Sequence, residues 1–351
     1  RRTDGEASEA GAAGGVQGTE RAMTYTLGWG GHVRAVQQTN AASSEPDFLR
    51  HLAMGRFSHE NAAVMPDEKT VYLTDDGYET VLFKFVADTA GDLSAGTLYG
   101  AQVTQDDTRD SAIAGFDVEW MEMASSSNSE IQTWIDEYDG ITTEDFISGQ
   151  NSYITDEEIN DWAEGRLNKD LNGDGAVSFA ADDRVAFLES RKAAAALGAT
   201  DEWSKMEGVA FNANAPENLY LAMSRIESGM SDGQDDIDVT LNSCGIIYRM
   251  TLDEGWGVNR IEPVISGGPY TSSAQYQCVI NNLAGPDNLH VLDDGHRLIG
   301  AETSKHESNM VWLWAAKCVT VEAKGDLAVN PDNTLRATPN KTLTGAANSQ
   351  V

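Results

Sequence analysis

Three stretches of the chain share one grammar, and that repetition restricts its architecture more than any other feature. The first runs His59-Glu60-Asn61-Ala62-Ala63-Val64, turns at Pro66-Asp67-Glu68-Lys69, and returns as Val71-Tyr72-Leu73-Thr74-Asp75-Asp76. A third run, Val81-Leu82-Phe83-Lys84-Phe85-Val86, closes it. The second unit is Met206-Glu207-Gly208-Val209-Ala210-Phe211, a turn over 212–217, Leu219-Tyr220-Leu221-Ala222-Met223-Ser224, and later residues 245–250. The third is Pro286-Asp287-Asn288-Leu289-His290-Val291, the turn Asp293-Asp294-Gly295, residues 297–302, and Met310-Val311-Trp312-Leu313-Trp314. Each run is short, aromatic or β-branched, and bounded by Gly, Asp or Asn, the pattern of strands joined by tight turns.

Short antiparallel strands repeated as units predict an all-β fold, a β-propeller that is closed by few blades or incomplete. Residues 23–104 and 201–318 carry the blades. Residues 1–22, rich in Gly, Ala and Glu, read as a flexible or extended arm. Residues 105–200 read as an acidic helical insertion with its clearest helices over 156–167 and 181–197. Residues 319–351 read as a last strand and an extended tail, with a turn at Asn330-Pro331-Asp332-Asn333.

A carboxylate opens each unit: Glu60, Glu207 and Asp287. In a propeller the innermost strands converge on one channel, so these three residues are expected to meet despite their distance in sequence. Carboxylates gathered in one channel repel one another unless a cation neutralises them. The plain alternative is that each one caps a turn or binds a neighbouring backbone N–H; recurrence at the same place favours metal.

The charge balance points the same way. With 56 Asp+Glu against 24 Lys+Arg the formal net charge is -32, which disfavours nucleic acid and anionic membrane as partners and favours cations. No run approaches the roughly 18 apolar residues of a transmembrane helix. The three cysteines, Cys244, Cys278 and Cys318, match no zinc spacing and leave the disulfide state open. The N-terminal residues show no signal-peptide pattern, so the chain reads as processed or as an incomplete record.

Within the insertion, Asp170-Leu171-Asn172-Gly173-Asp174-Gly175-Ala176-Val177 has the opening of an EF-hand loop. Asp170, Asn172 and Asp174 supply oxygens at positions 1, 3 and 5, and Gly175 permits the turn at position 6. Ala181 stands at position 12, where the bidentate Glu is expected; Asp182, one residue later, is the substitute ligand. This loop argues for calcium. Arg56, Lys84 and Arg225 are scarce cations close to the repeats and are weak candidates for phosphate binding. His59 beside Glu60 faces the opposite side of a strand and is better read as a support than as a general acid.

The run Gly55-Arg56-Phe57-Ser58-His59-Glu60-Asn61-Ala62-Ala63-Val64, followed by Asp75-Asp76-Gly77 and by residues 81–86 and 95–99, resembles the PhoX-type alkaline phosphatases. Glu207-Gly208-Val209-Ala210-Phe211 and Gly285-Pro286-Asp287-Asn288-Leu289 are similar to two further steps of that family, in the same order. The resemblance spans roughly residues 23–315. It implies a calcium- and iron-dependent phosphomonoesterase, secreted, periplasmic or lumenal, with a metal cluster on the propeller axis. It also implies that Glu60, Glu207 and Asp287 are metal ligands, with Asp75 and Asp76 as additional oxygens. The family's upstream Trp-Gly-Thr…Cys-Glu-Glu segment has no counterpart, since residues 1–54 contain no Cys. Without that thiolate the set is calcium-like, and iron would lack its soft ligand. Two functions stay open at this point: a calcium-dependent phosphatase acting on phosphate monoesters, and a noncatalytic calcium-stabilised propeller that docks protein partners in a larger assembly.

Overall fold

The computed structural model describes residues 22–27, 33–39, 47–139, 154–166, 182–212, 215–279, 282–292, 296–301, 310–315, 328–329 and 335–336. Three antiparallel strands come first, β1 (Ala22–Leu27), β2 (Val33–Thr39) and β3 (Asp47–His51). They are followed by β4 (His59–Val64), β5 (Thr70–Asp75), β6 (Phe83–Thr89), β7 (Asp92–Gln105) and β8 (Phe116–Ser127). Four helices intervene: α1 (Asn128–Asp139), α2 (Asp156–Ala163), α3 (Arg184–Leu188) and α4 (Ser190–Leu197). Strands resume with β9 (Met206–Asn212), β10 (Ala215–Met223), β11 (Ile246–Leu252) and β12 (Val258–Ser266). Then come β13 (Pro286–Val291), β14 (His296–Ala301) and β15 (Met310–Ala315), and a short pair, β16 (Ala328–Val329) with β17 (Leu335–Arg336).

The fold is all-β with helices added, and each repeat unit becomes an antiparallel meander. The first two units carry a fourth strand, β7 and β12, beyond the three that the repeat implies. Side-chain alternation explains why these strands read as nearly continuous apolar runs: both faces are buried. Val71, Leu73, Phe83 and Phe85 enter a cluster shared with helical residues such as Trp134 and Phe187. Tyr72, on the other face of β5, joins Leu219, Leu221, Ile246 and Tyr248 between the first and second meanders. Tyr220 and Ile247, opposite those residues, pack with Leu289 and Ile299 of the third. Period two along each strand thus stacks the meanders face on face.

Two expectations change. Phe116–Ser127, placed in the helical insertion on its acidity, is a strand whose buried and exposed residues largely alternate. It pairs with β7 along its length and with β12 at Arg260↔Asp117 and Ile261↔Phe116, joining β4–β12 into one nine-stranded sheet. The helix expected over 181–197 is two helices broken at Glu189. That carboxylate turns to Arg56, while Ser190 Oγ donates back to the Ala186 carbonyl. The helix expected from 156 starts as its sequence suggests, with Thr155 and Glu158 forming a reciprocal capping box. Asp170, Asn172, Asp174, Cys318 and the proposed arm over 1–21 lie outside the described residues.

Cys244 and Cys278 form a disulfide, which settles a pairing the spacing had left open. It fastens the connection between β12 and β13, and Gly285 N–H donates to the Cys244 carbonyl at 2.9 Å. Asp287 follows two residues later, so this tether fixes where the third strand of the site begins.

Candidate metal centre

Glu60 on β4, Glu207 on β9 and Asp287 on β13 each place a carboxylate oxygen within 4.8 Å of the others. The inner strands come this close because β9 presents a glycine to β13. A Cβ on Gly208 would lie 2.7 Å from Leu289 N and 2.8 Å from the Asp287 carbonyl oxygen. A Gly208→Ala variant should therefore force the two backbones apart and weaken any divalent-cation binding at the three carboxylates by roughly tenfold or more, measured by calorimetry on metal-stripped protein. Unchanged affinity would show that the β9–β13 approach does not set the site.

Burial and mutual repulsion dominate the electrostatics. Glu60 is pushed up to about 7, first by desolvation, then by Asp76 and Asp287, with Lys205 opposing. Glu207 rises to about 8, again by desolvation first and then by Asp76; the Ser224 hydrogen bond and Lys205 pull the other way. Ser224 Oγ donates to Glu207 Oε1 at 2.6 Å, and Thr74 Oγ1 donates to the Glu207 backbone carbonyl at 2.8 Å. Carboxylates raised this far are in part protonated at neutral pH, and a bound cation displaces those protons.

Lys205 is the residue that the sequence reading missed. Its Nζ pairs with Asp76 and lies 3.4 Å from Glu207 Oε1. The backbone at Lys205 is left-handed, φ 53°, an unfavourable state for a side-chain-bearing residue. Its N–H bonds the Gly77 carbonyl at 2.6 Å and its carbonyl accepts from Ser224 N–H at 3.0 Å, so both neighbours of the site hold it in place. The one available signal was a scarce lysine two positions before Glu207.

The other sequence candidates divide. Asp76 lies beside the group, paired with Lys205. Asp75 does not join it: fully buried, it accepts from Arg191 Nε at 2.6 Å, from Arg191 Nη2, and from Ser58 N–H at 3.0 Å. Burial raises its carboxyl to about 6 against the pull of Arg191. An acid locked to a guanidinium in this way anchors α4 to β5 and has little lone-pair capacity left for a metal. Arg56 serves the same docking, its Nη1 bonding the Leu188 carbonyl and Glu189. Lys84 is clamped between the rings of Tyr99 and Trp120, at 4.7 and 4.6 Å, on the third strand out from the channel, where burial lowers it to about 8. Asp182 is bound on both oxygens by Arg184. His59 stacks on Phe57, with Nε2 3.2 Å from the Gly55 carbonyl oxygen.

The chain matches the family model of the alkaline phosphatase PhoX over residues 13–348. It belongs to the PhoX alkaline phosphatase family. A solved structure, Pseudomonas fluorescens PhoX in complex with vanadate, a transition state analogue, aligns with this PhoX-family chain at a TM-score of 0.52 and 18% identity. The alignment covers 80% of this chain and 46% of that one, so the chain spans about half the length of that structure. At that identity the likeness concerns the all-β, propeller-like fold. No curated protein sequence matches the chain.

Proposed function

We propose that this chain forms the metal-binding part of a calcium-dependent phosphomonoesterase, with Glu60, Glu207 and Asp287 as ligands at the channel. The observation that carries the reading is the convergence of three carboxylates from three repeat units beside a lysine. The donor set fits the metal: hard oxygens alone, with two acids raised to about 7 and about 8 by desolvation first and by neighbouring carboxylates second, suit Ca²⁺ better than a thiophilic ion. Cys244 and Cys278 are engaged with each other, so neither offers iron a thiolate. A hard cation held there supplies positive charge against phosphoryl oxygens and the means to activate an oxygen nucleophile.

The protein's own groups do the rest. Lys205 Nζ donates to a phosphoryl oxygen and balances its charge. Ser224 fixes the rotamer of Glu207, and Asp76 keeps Lys205 aimed at the channel. Arg191, by holding Asp75 and the Asp76 carbonyl, sets the end of β5 from which Asp76 projects. A second calcium in the 170–182 loop would use Asp170, Asn172 and Asp174, with Asp182 available once released from Arg184. A disulfide and weak calcium loops both suit a secreted, periplasmic or lumenal address. Among the described residues no helix is long and apolar enough to cross a membrane.

The test is hydrolysis of p-nitrophenyl phosphate by the chain supplemented with calcium, and in parallel with calcium and iron, alongside metal analysis. Calcium-dependent turnover is the expected result. Bound calcium with no turnover above blank in either mixture would overturn the phosphatase reading and support the noncatalytic platform.

A further inference from the structure

Next in sequence to the residues that hold the carboxylates, the turn after β5 and the segment after β10 meet through their side chains. Tyr78 Oη donates to Glu227 Oε1 at 2.7 Å and accepts from Arg225 Nη1 at 3.0 Å. Ser243 Oγ secures the other oxygen of Glu227 at 2.7 Å. The unit is built, yet it faces solvent: Tyr78 is 41% exposed and the Arg225 side chain 43%. Its position is fixed by the site itself. Arg225 directly follows Ser224, which bonds Glu207, and Tyr78 lies two residues beyond Asp76, which bonds Lys205.

Arg225 engages its described neighbours through Nη1 alone, which leaves the Nε–Nη2 edge, the fork that suits a bidentate anion, without a partner among the described residues. Glu227 lies 3.4 Å from Arg225 Nη1, and in a chain of net charge -32 the exposed remainder of this guanidinium is a place where an incoming anion meets attraction.

We propose that Tyr78 and Arg225 form a leaving-group subsite for phosphomonoesters whose leaving group carries a second anionic group, such as another phosphate. Selectivity at this site rests on the phosphatase reading above and extends it to a substrate class. The guanidinium edge pairs with the second anion, and the Tyr78 ring supplies a flat apolar wall beside it.

The experiment compares KM for glucose 1,6-bisphosphate and for glucose 6-phosphate in the calcium-loaded chain. Wild type is expected to favour the bisphosphate by about tenfold, the scale of one charge-assisted hydrogen bond. Arg225→Ala should collapse that ratio, Arg225→Lys should restore part of it, and Tyr78→Phe should lower it. No preference in wild type, or parallel KM changes for both esters in Arg225→Ala, would overturn the subsite. If wild type turns over neither ester, the phosphatase reading fails. Calorimetric binding of the same two esters then decides the subsite: a bisphosphate preference lost in Arg225→Ala supports it, and equal binding removes it.

Discussion

Glu207→Gln is expected to cost more than about 100-fold in aryl-phosphate turnover, beyond the 10–100-fold typical of residues outside the metal's own ligands. It should also remove bound calcium from the channel on metal analysis. Glu207 is 5% exposed and sits among Asp76, Glu60 and Asp287, so burial and its acidic neighbours disfavour its ionised form and a bound cation favours it. Glutamine keeps an oxygen for Ser224 Oγ but brings no charge, and a hard divalent ion loses its most buried anionic ligand. The same change should stabilise the metal-free protein at pH 8, because the desolvated carboxylate is gone. Opposite signs for function and apo stability separate a ligand from a packing residue. A variant that loses turnover and melts lower in the metal-free state would show that Glu207 serves the fold.

Metal-free protein is expected to lose thermal stability as pH rises from about 5 to 8, and added calcium is expected to reverse the loss. Glu60 and Glu207 have folded-state values near 7 and 8, above the ordinary 4.5. Between 4.5 and those values the folded chain binds more protons than the unfolded one, so the stability gradient with pH is negative. Below about 4.5 both states are protonated at these groups and the contribution is at its full extent; it is lost as pH climbs through 7 and 8. Each tenfold gain in proton affinity corresponds to about 1.4 kcal/mol, so upward shifts of two buried acids weigh on the stability of the metal-free chain. Calcium replaces the protons, and its stabilising effect should therefore be larger at pH 8 than at pH 5.5. A melting temperature independent of pH over this range, or equal calcium shifts at both pH values, would contradict the account.

Much of the site was legible because a repeat carries its own geometry: a carboxylate at the same place in three units must reach the same place in space. What stayed hidden depends on contacts between distant segments. Nothing near Arg191 in sequence announces Asp75, and nothing near Lys205 announces Asp76, since those pairs form only when α4 and β9 dock on β5. The resemblance implied Asp75 and Asp76 alike as additional oxygens, yet adjacent strand residues project to opposite sides, and only Asp76 lies beside the carboxylates. β8 was hidden by its acidity. Phe116-Asp117-Val118-Glu119-Trp120 alternates apolar with acidic, the period of a strand, but acidic residues between helices suggest more helix. The break at Glu189 had no local signal, because its partner Arg56 comes from a segment distant in sequence.

The seam between β8 and β12 has a mechanical consequence. Asp106 and Asp117 grip Arg260 across it, and Trp120 Nε1 donates to the Val258 carbonyl at 2.8 Å. Glu60 and Glu207 therefore ride on a single hydrogen-bonded body, and their separation resists thermal breathing. Asp287 belongs to a separate sheet, hung from that body by a covalently pinned connection. Whatever gating the channel undergoes falls to the Asp287 strand, which makes its amide exchange the most sensitive reporter of an ion arriving or leaving.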